Sequence, residues 1–187
     1  MNMKMLILVF TLRLFSGTAQ AQTKYFTKTG QISFHSKSAM ENIEAMNNKV
    51  VSVLDIATGQ IEFSVLMKGF EFERALMQEH FNENYVESDK YPKAVFKGII
   101  EIKEAISLTT DMSATVKVNG YLTIHGVTNP INTTALITVK KNVLSASAGF
   151  VITLADYKIS IPSVVSEKIN KQVTITVGIP AYQPLAR

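Results

Sequence analysis

Cysteine is absent from all 187 residues, which excludes disulfides, thiolate metal sites, a cysteine nucleophile and lipid attachment through a thiol. The fold must then rest on its apolar core. Past the N-terminus no apolar run approaches the roughly 20 residues that a bilayer-spanning helix needs, so stable membrane insertion is not expected. Lys and Arg are scattered rather than gathered into a stripe, and nucleic acid is not an expected partner. The phosphate-cradling patterns G-x-G-x-x-G and G-x-x-x-x-G-K-[ST] are missing, as is the G-x-S-x-G turn that presents a nucleophilic serine. The three histidines, at 35, 80 and 125, lack the close spacing of a helical H-x-x-x-H zinc site.

What is present begins with "MNMKMLILVFTLRLFSGTAQA". A cation at Lys4, an apolar stretch from Met5 to Phe15 broken once by Arg13, and the tripeptide Ala19-Gln20-Ala21 have the order of a secretory signal, with cleavage expected after Ala21. Removing residues 1–21 takes Lys4 and Arg13 from the 19 basic side chains, leaving 17 against 15 acids and a net charge near +2. The remainder, 22–187, suits one domain, because no Pro/Gly/Ser-rich linker, repeat or low-complexity run divides it.

Apolar residues then alternate with polar ones, the period of strands with one buried face. Ile61, Phe63, Val65 and Met67 set the rhythm. It returns at Ala94–Ile102, Val116–Ile124, Leu144–Ile152 and Val173–Ile179, and more weakly at 31–36, 50–55 and 131–139. About eight antiparallel strands predict an all-β barrel or sandwich. Asn119-Gly120 has the chemistry of a hairpin turn, yet the alternation runs through it without a phase slip. A bulge or tight bend is expected there, with the reversal at Gly126–Pro130. One helix is predicted over 73–84, where Met77, Phe81 and Tyr85 recur at i+4 as an apolar stripe.

The polar patch "HFNENYVESDKYPKAVF", His80–Phe96, is the natural place to look for chemistry. Its carboxylates Glu83, Glu87 and Asp89 fall at a helix end and in the following loop, where acids are normally solvated. His80, with Glu79 and Glu83 near it, sits on a polar helix face. No catalytic residue and no metal ligand is assigned. His125 ends a strand beside a turn, where an imidazole commonly bonds loop backbone. The inward set is aromatic or flexible instead: Phe63, Met67, Phe72, Phe81, Phe96, Leu122 and Phe150. Tyr85 and Tyr91, each with an apolar body and a polar tip, suit a barrel rim that touches a ligand, or equally one that is merely sealed. Residues 156–172 interrupt the strand rhythm and read as a flap over the mouth or as an ordinary ordered loop. A hollow barrel and a filled one share this pattern, so a lipid carrier, an enzyme acting on a lipid and a protein-interaction module all stand.

The stretch "FSVLMKGFEFERALMQEHFNENYVESDKYPKAVFKG", with "VNGYLTIHGVTNPI" and "LADYKISIP", resembles the YceI-like family of exported bacterial proteins over roughly Ile32 to Val177. The runs "MQEHFNENYVESDKYPKAVFKG" and "GYLTIHGVT" carry most of the likeness. That resemblance implies a lipocalin-like antiparallel eight-stranded barrel with an elongated apolar interior, and a periplasmic location. It also implies a polyisoprenoid or other long-chain amphiphile as ligand, with no cofactor. The chain departs from the family at Met77-Gln78-Glu79-His80, where many members carry an Arg-Asp pair before the histidine, so an arginine contact to a head group is not expected. A homodimer is as compatible with the sequence as a monomer.

Overall fold

The computed structural model describes residues 23–38, 42–102, 105–162 and 169–185; the expected signal at 1–21 lies outside them. The described residues form nine strands: β1 Lys24–Lys37, β2 Asn42–Asp55, β3 Gln60–Leu66, the short β4 Glu71–Phe72, β5 Lys93–Ile100, β6 Met112–Ile124, β7 Val127–Lys140, β8 Val143–Thr153 and β9 Gln172–Pro184. Their spatial order is β1-β9-β8-β7-β6-β5-β3-β2, and β1 pairs β2 to close the ring. The result is an antiparallel eight-stranded barrel, the fold class expected. Strand β4 stands outside that count, attached to β2 through Ala45↔Phe72 and Met46↔Glu71.

Strands β1 and β2 are longer than alternation alone predicts. In β2 the polar run "MNNK" looks like a break, but Asn47 is fully buried. Its amide donates to the Leu66 carbonyl at 2.9 Å, and its side-chain oxygen accepts from the Lys49 N–H at 2.9 Å. A buried amide satisfied on both sides costs little and lets the strand run through. In β1 the register against β2 shifts on both sides of Gly30, a bulge that breaks the period without ending the strand.

The β6–β7 reversal differs from expectation. β6 passes through Asn119-Gly120 with no register shift, and Gly120 pairs Gly98 and Ile131 in unbroken ladders, so there is neither a turn nor a bulge. The chain reverses at His125-Gly126, with φ of 52° and 73° and Ile124 opposite Val127. Positive φ at both positions is what a two-residue type I′ turn demands. Pro130, expected in the turn, lies inside β7 opposite Tyr121. Counting pairs from the turn, its nitrogen faces away from β6, toward a side where the β7–β8 ladder has ended at Ala135↔Ala148. No ladder bond is lost there.

The helix predicted over 73–84 is shorter and compound. α1 spans Ala75–His80, and a π-helical turn follows at Phe81–Tyr85, closed by the Val86 N–H on the Phe81 carbonyl at 3.0 Å. Inside that turn Asn82 donates its side-chain amide to the Gln78 carbonyl at 2.8 Å, and its backbone carbonyl receives the Ser88 N–H at 2.8 Å, which ties the helical segment to the following loop. The 156–172 connection opens with a 3₁₀ turn at Leu154–Tyr157. Tyr157 and Ile159 are buried and anchor its first part; residues 163–168 lie outside the described ones.

Candidate functional site

Inward side chains of all eight barrel strands, with Met77, Phe81 and Tyr85 from the helical segment, line a cavity of ≈ 300 Å³. Its wall carries no Asp, Glu, Lys or Arg among the described residues; Ser36, His80, Thr133, Ser147 and the Tyr85 hydroxyl are its polar groups. Alternation explains the wall. Each strand turns every second residue inward, and in this chain those residues are Ile, Val, Phe, Leu and Ala.

The helical end holds a group of four phenylalanines. The Phe34 ring lies 5.4 Å from Phe70, 5.7 Å from Phe72 and 5.4 Å from Phe81, centroid to centroid. Phe81 meets Phe70 at 5.6 Å and Phe72 at 5.1 Å. Tilted and edge-on pairings dominate, the geometry favoured by ring quadrupoles, so they pin the helical segment against β1 and β4. The opposite end is closed by large residues, among them Tyr25, Leu144 and Tyr182. There Tyr182 shares a buried 2.8 Å hydrogen bond with Ser52, and burial pushes its phenol up to about 12 despite that bond.

Of the nine residues that the sequence singles out, Phe63, Met67, Phe72, Phe81, Tyr85, Phe96, Leu122 and Phe150 all line the cavity. Tyr91 is not among the lining residues. Its ring packs edge-on against His125 at 4.6 Å and lies where a Cβ on Gly126 would come within 2.6 Å. Phe34 and Phe70 were missed. Phe34 carried a signal, the in-phase triplet Ile32, Phe34, Ser36, in a strand that looked weak. Phe70 follows the 3₁₀ turn Met67–Gly69, where no strand period exists to point it inward.

Of the polar patch, His80 and Tyr85 face the cavity, whereas Glu87, Asp89, Lys90 and Tyr91 make their contacts outside it. The Nε2 of His125 lies 2.5 Å from the Glu87 carboxylate, and its Nδ1 lies 3.2 Å from the Tyr157 carbonyl. The hydrogen bond from His125 holds the Glu87 carboxyl below the usual range, opposed by desolvation and aided by Lys90. Lys90 is held above its usual range, first through Tyr91 and then through Glu87. Asp89 pairs Lys68 at 2.5 Å on the surface. Among the described residues no three His, Asp or Glu side chains gather as a metal site would require.

A cavity with these walls can shelter a slender apolar chain; among the described residues its wall holds no Asp, Glu, Lys or Arg. The barrel is similar to a polyisoprenoid binding domain from Saccharophagus degradans implicated in plant cell wall breakdown, with a TM-score of 0.75 at 14% identity over 88% of this chain and 100% of that one. It is also similar to BcnA of Burkholderia cenocepacia, TM-score 0.68 at 14% identity over 80% and 94%, and to the YCEI protein of Campylobacter jejuni, TM-score 0.55 at 14% identity over 99% and 100%. At such identity the likeness is one of fold. No curated protein matches the chain significantly. The YceI-like domain matches residues 9–181, nearly the whole sequence, and the chain therefore belongs to the YceI-like family.

Proposed function

We propose that this protein binds a polyisoprenoid or a similar long-chain amphiphile with its tail inside the barrel, and serves as a carrier or sequestering protein rather than an enzyme. The observation that carries the reading is the ≈ 300 Å³ cavity whose wall, among the described residues, holds no Asp, Glu, Lys or Arg. That volume stands at the lower end of ligand sites, about 300–1,000 Å³, and an eight-stranded barrel is of the width that holds one narrow ligand. Family membership and the polyisoprenoid-binding neighbour support the choice of lipid. Burial supplies the affinity: at about 0.8 kcal/mol per CH₂, a five-carbon isoprene unit contributes roughly 3–4 kcal/mol gross, so two or three units reach micromolar binding after the cost of association. A charged head group finds no partner on these walls and stays at the mouth, near His80 and Tyr85. On this reading the chain is exported, cut after Ala21, and works in the periplasm.

Native mass spectrometry of the protein released gently from the periplasm tests this. The expected spectrum shows a polypeptide beginning at Gln22 with an added lipid mass that disappears in organic solvent. A bare polypeptide, even after incubation with a total lipid extract, overturns the proposal.

A further inference from the structure

The barrel interior is divided. Buried residues fall into two clusters, one toward the helical end and one toward the Tyr182 end, and Phe63 and Phe96 are the two described side chains that pack against both. They are direct cross-strand partners on β3 and β5, their rings 6.3 Å apart and tilted by 60°. The cavity passes them: it is lined by Phe34 and Phe150 from the first cluster's surroundings and by Ile61 and Ile137 of the second. Phe63 and Phe96 therefore form a waist between an upper chamber at the helical end and a lower chamber at the Tyr182 end.

What keeps the waist open is a pair of glycines. Gly98 and Gly120 face each other across β5 and β6, and the ring of Phe96 lies over them. A Cβ on either would meet its Cζ, at 2.7 Å from Gly98 and 2.6 Å from Gly120. Any larger residue there would crowd both the ring and a neighbouring carbonyl, that of Asn119 at Gly98 and that of Lys97 at Gly120. In the seat the ring leans along the wall; displaced from it, the ring has the lumen to enter.

We infer that the Phe63–Phe96 waist, seated on Gly98 and Gly120, sets how deep a lipid tail reaches and so selects ligands by tail length and girth. This rests on the lipid-binding reading above and adds a selectivity that a uniform apolar bore would lack. Tails that stop in the upper chamber are indifferent to the waist. Longer tails bury further carbons in the lower chamber by passing it.

The test is an affinity series with trans-prenyl alcohols of two to about eight isoprene units, each competed against a fluorescent fatty acid, on the wild-type chain and on Phe96→Ala and Phe96→Trp. For wild type, affinity rises with each unit and then levels. Removing the six-carbon ring makes room for about one five-carbon unit, so the levelling point in Phe96→Ala moves about one unit longer. In Phe96→Trp the ratio of long-alcohol to short-alcohol affinity falls about tenfold or more, since the burial forgone beyond the waist exceeds the roughly 1.4 kcal/mol that a decade represents. Thermal melts establish that the variants are folded, and Phe63→Leu is expected to repeat the lengthening if Phe96→Ala is not. Wild-type length dependence in folded variants overturns the waist while leaving lipid binding intact. Absence of binding at every length in wild type overturns both.

Discussion

His125 joins three parts of the chain that are distant in sequence. Its ring bonds Glu87 in the loop after the helical segment and the Tyr157 carbonyl before β9, while Tyr91 packs on its face. Glu87 is the member whose titration is readable. His125 holds its carboxyl below the ordinary value of 4.5, so the folded state takes up this proton less readily than the unfolded chain. The stabilisation is therefore present above that value and lost as pH falls through the lower, folded one. Glu87→Gln is expected to melt at a lower temperature than wild type at neutral pH, with the gap closing below about pH 4. Melting curves from pH 3 to 7 read this directly; a gap that does not change with pH means that the contact acts through shape alone.

Among the strands and turns, the glycines of β5 and β6 show where sequence patterns mislead. Asn119-Gly120 carries turn chemistry, yet the residue pair sits mid-strand, because what matters at Gly120 is the absence of a side chain next to the Phe96 ring and the Lys97 carbonyl. Gly120→Ala would bring its Cβ to 2.5 Å from that carbonyl and 2.6 Å from the ring. Overpacking of this kind typically costs about 1–3 kcal/mol, and urea unfolding should show a lower midpoint with an unchanged slope. An unaltered midpoint would mean that neighbouring strands yield freely. The five strong strands were legible because period-two alternation follows directly from burying one face. The true lengths of β1 and β2 were not, since a bulge at Gly30 and a buried, fully bonded Asn47 erase the pattern locally. The turn at His125-Gly126 was hidden by Pro130, whose placement in β7 depends on where the neighbouring ladder stops.

For the molecule as a whole, the candidate site was legible in its lining but not in its emptiness. Eight of nine selected residues reach the cavity because strand and helix periods fix which side chains share a face. Tyr91 stays off the lining because its ring turns to a contact with His125, which no period encodes. Whether opposite walls meet depends on which residues face each other across the barrel, and the bulk here is uneven: phenylalanines on β3 and β5, alanines at 135, 146 and 148 on β7 and β8. Alternation counts apolar residues without weighing them against their opposite numbers. The central claim is that a lipid tail occupies this interior. Methyl NMR on the Ile-, Leu- and Val-labelled protein, titrated with a long prenyl alcohol, tests it most directly. The account predicts shifts at the inward methyls of Ile61, Val118 and Ile137 and none at the outward Leu136 and Val151, which are 44% and 55% exposed. Shifts confined to the outward methyls, or none at saturating ligand, would contradict it.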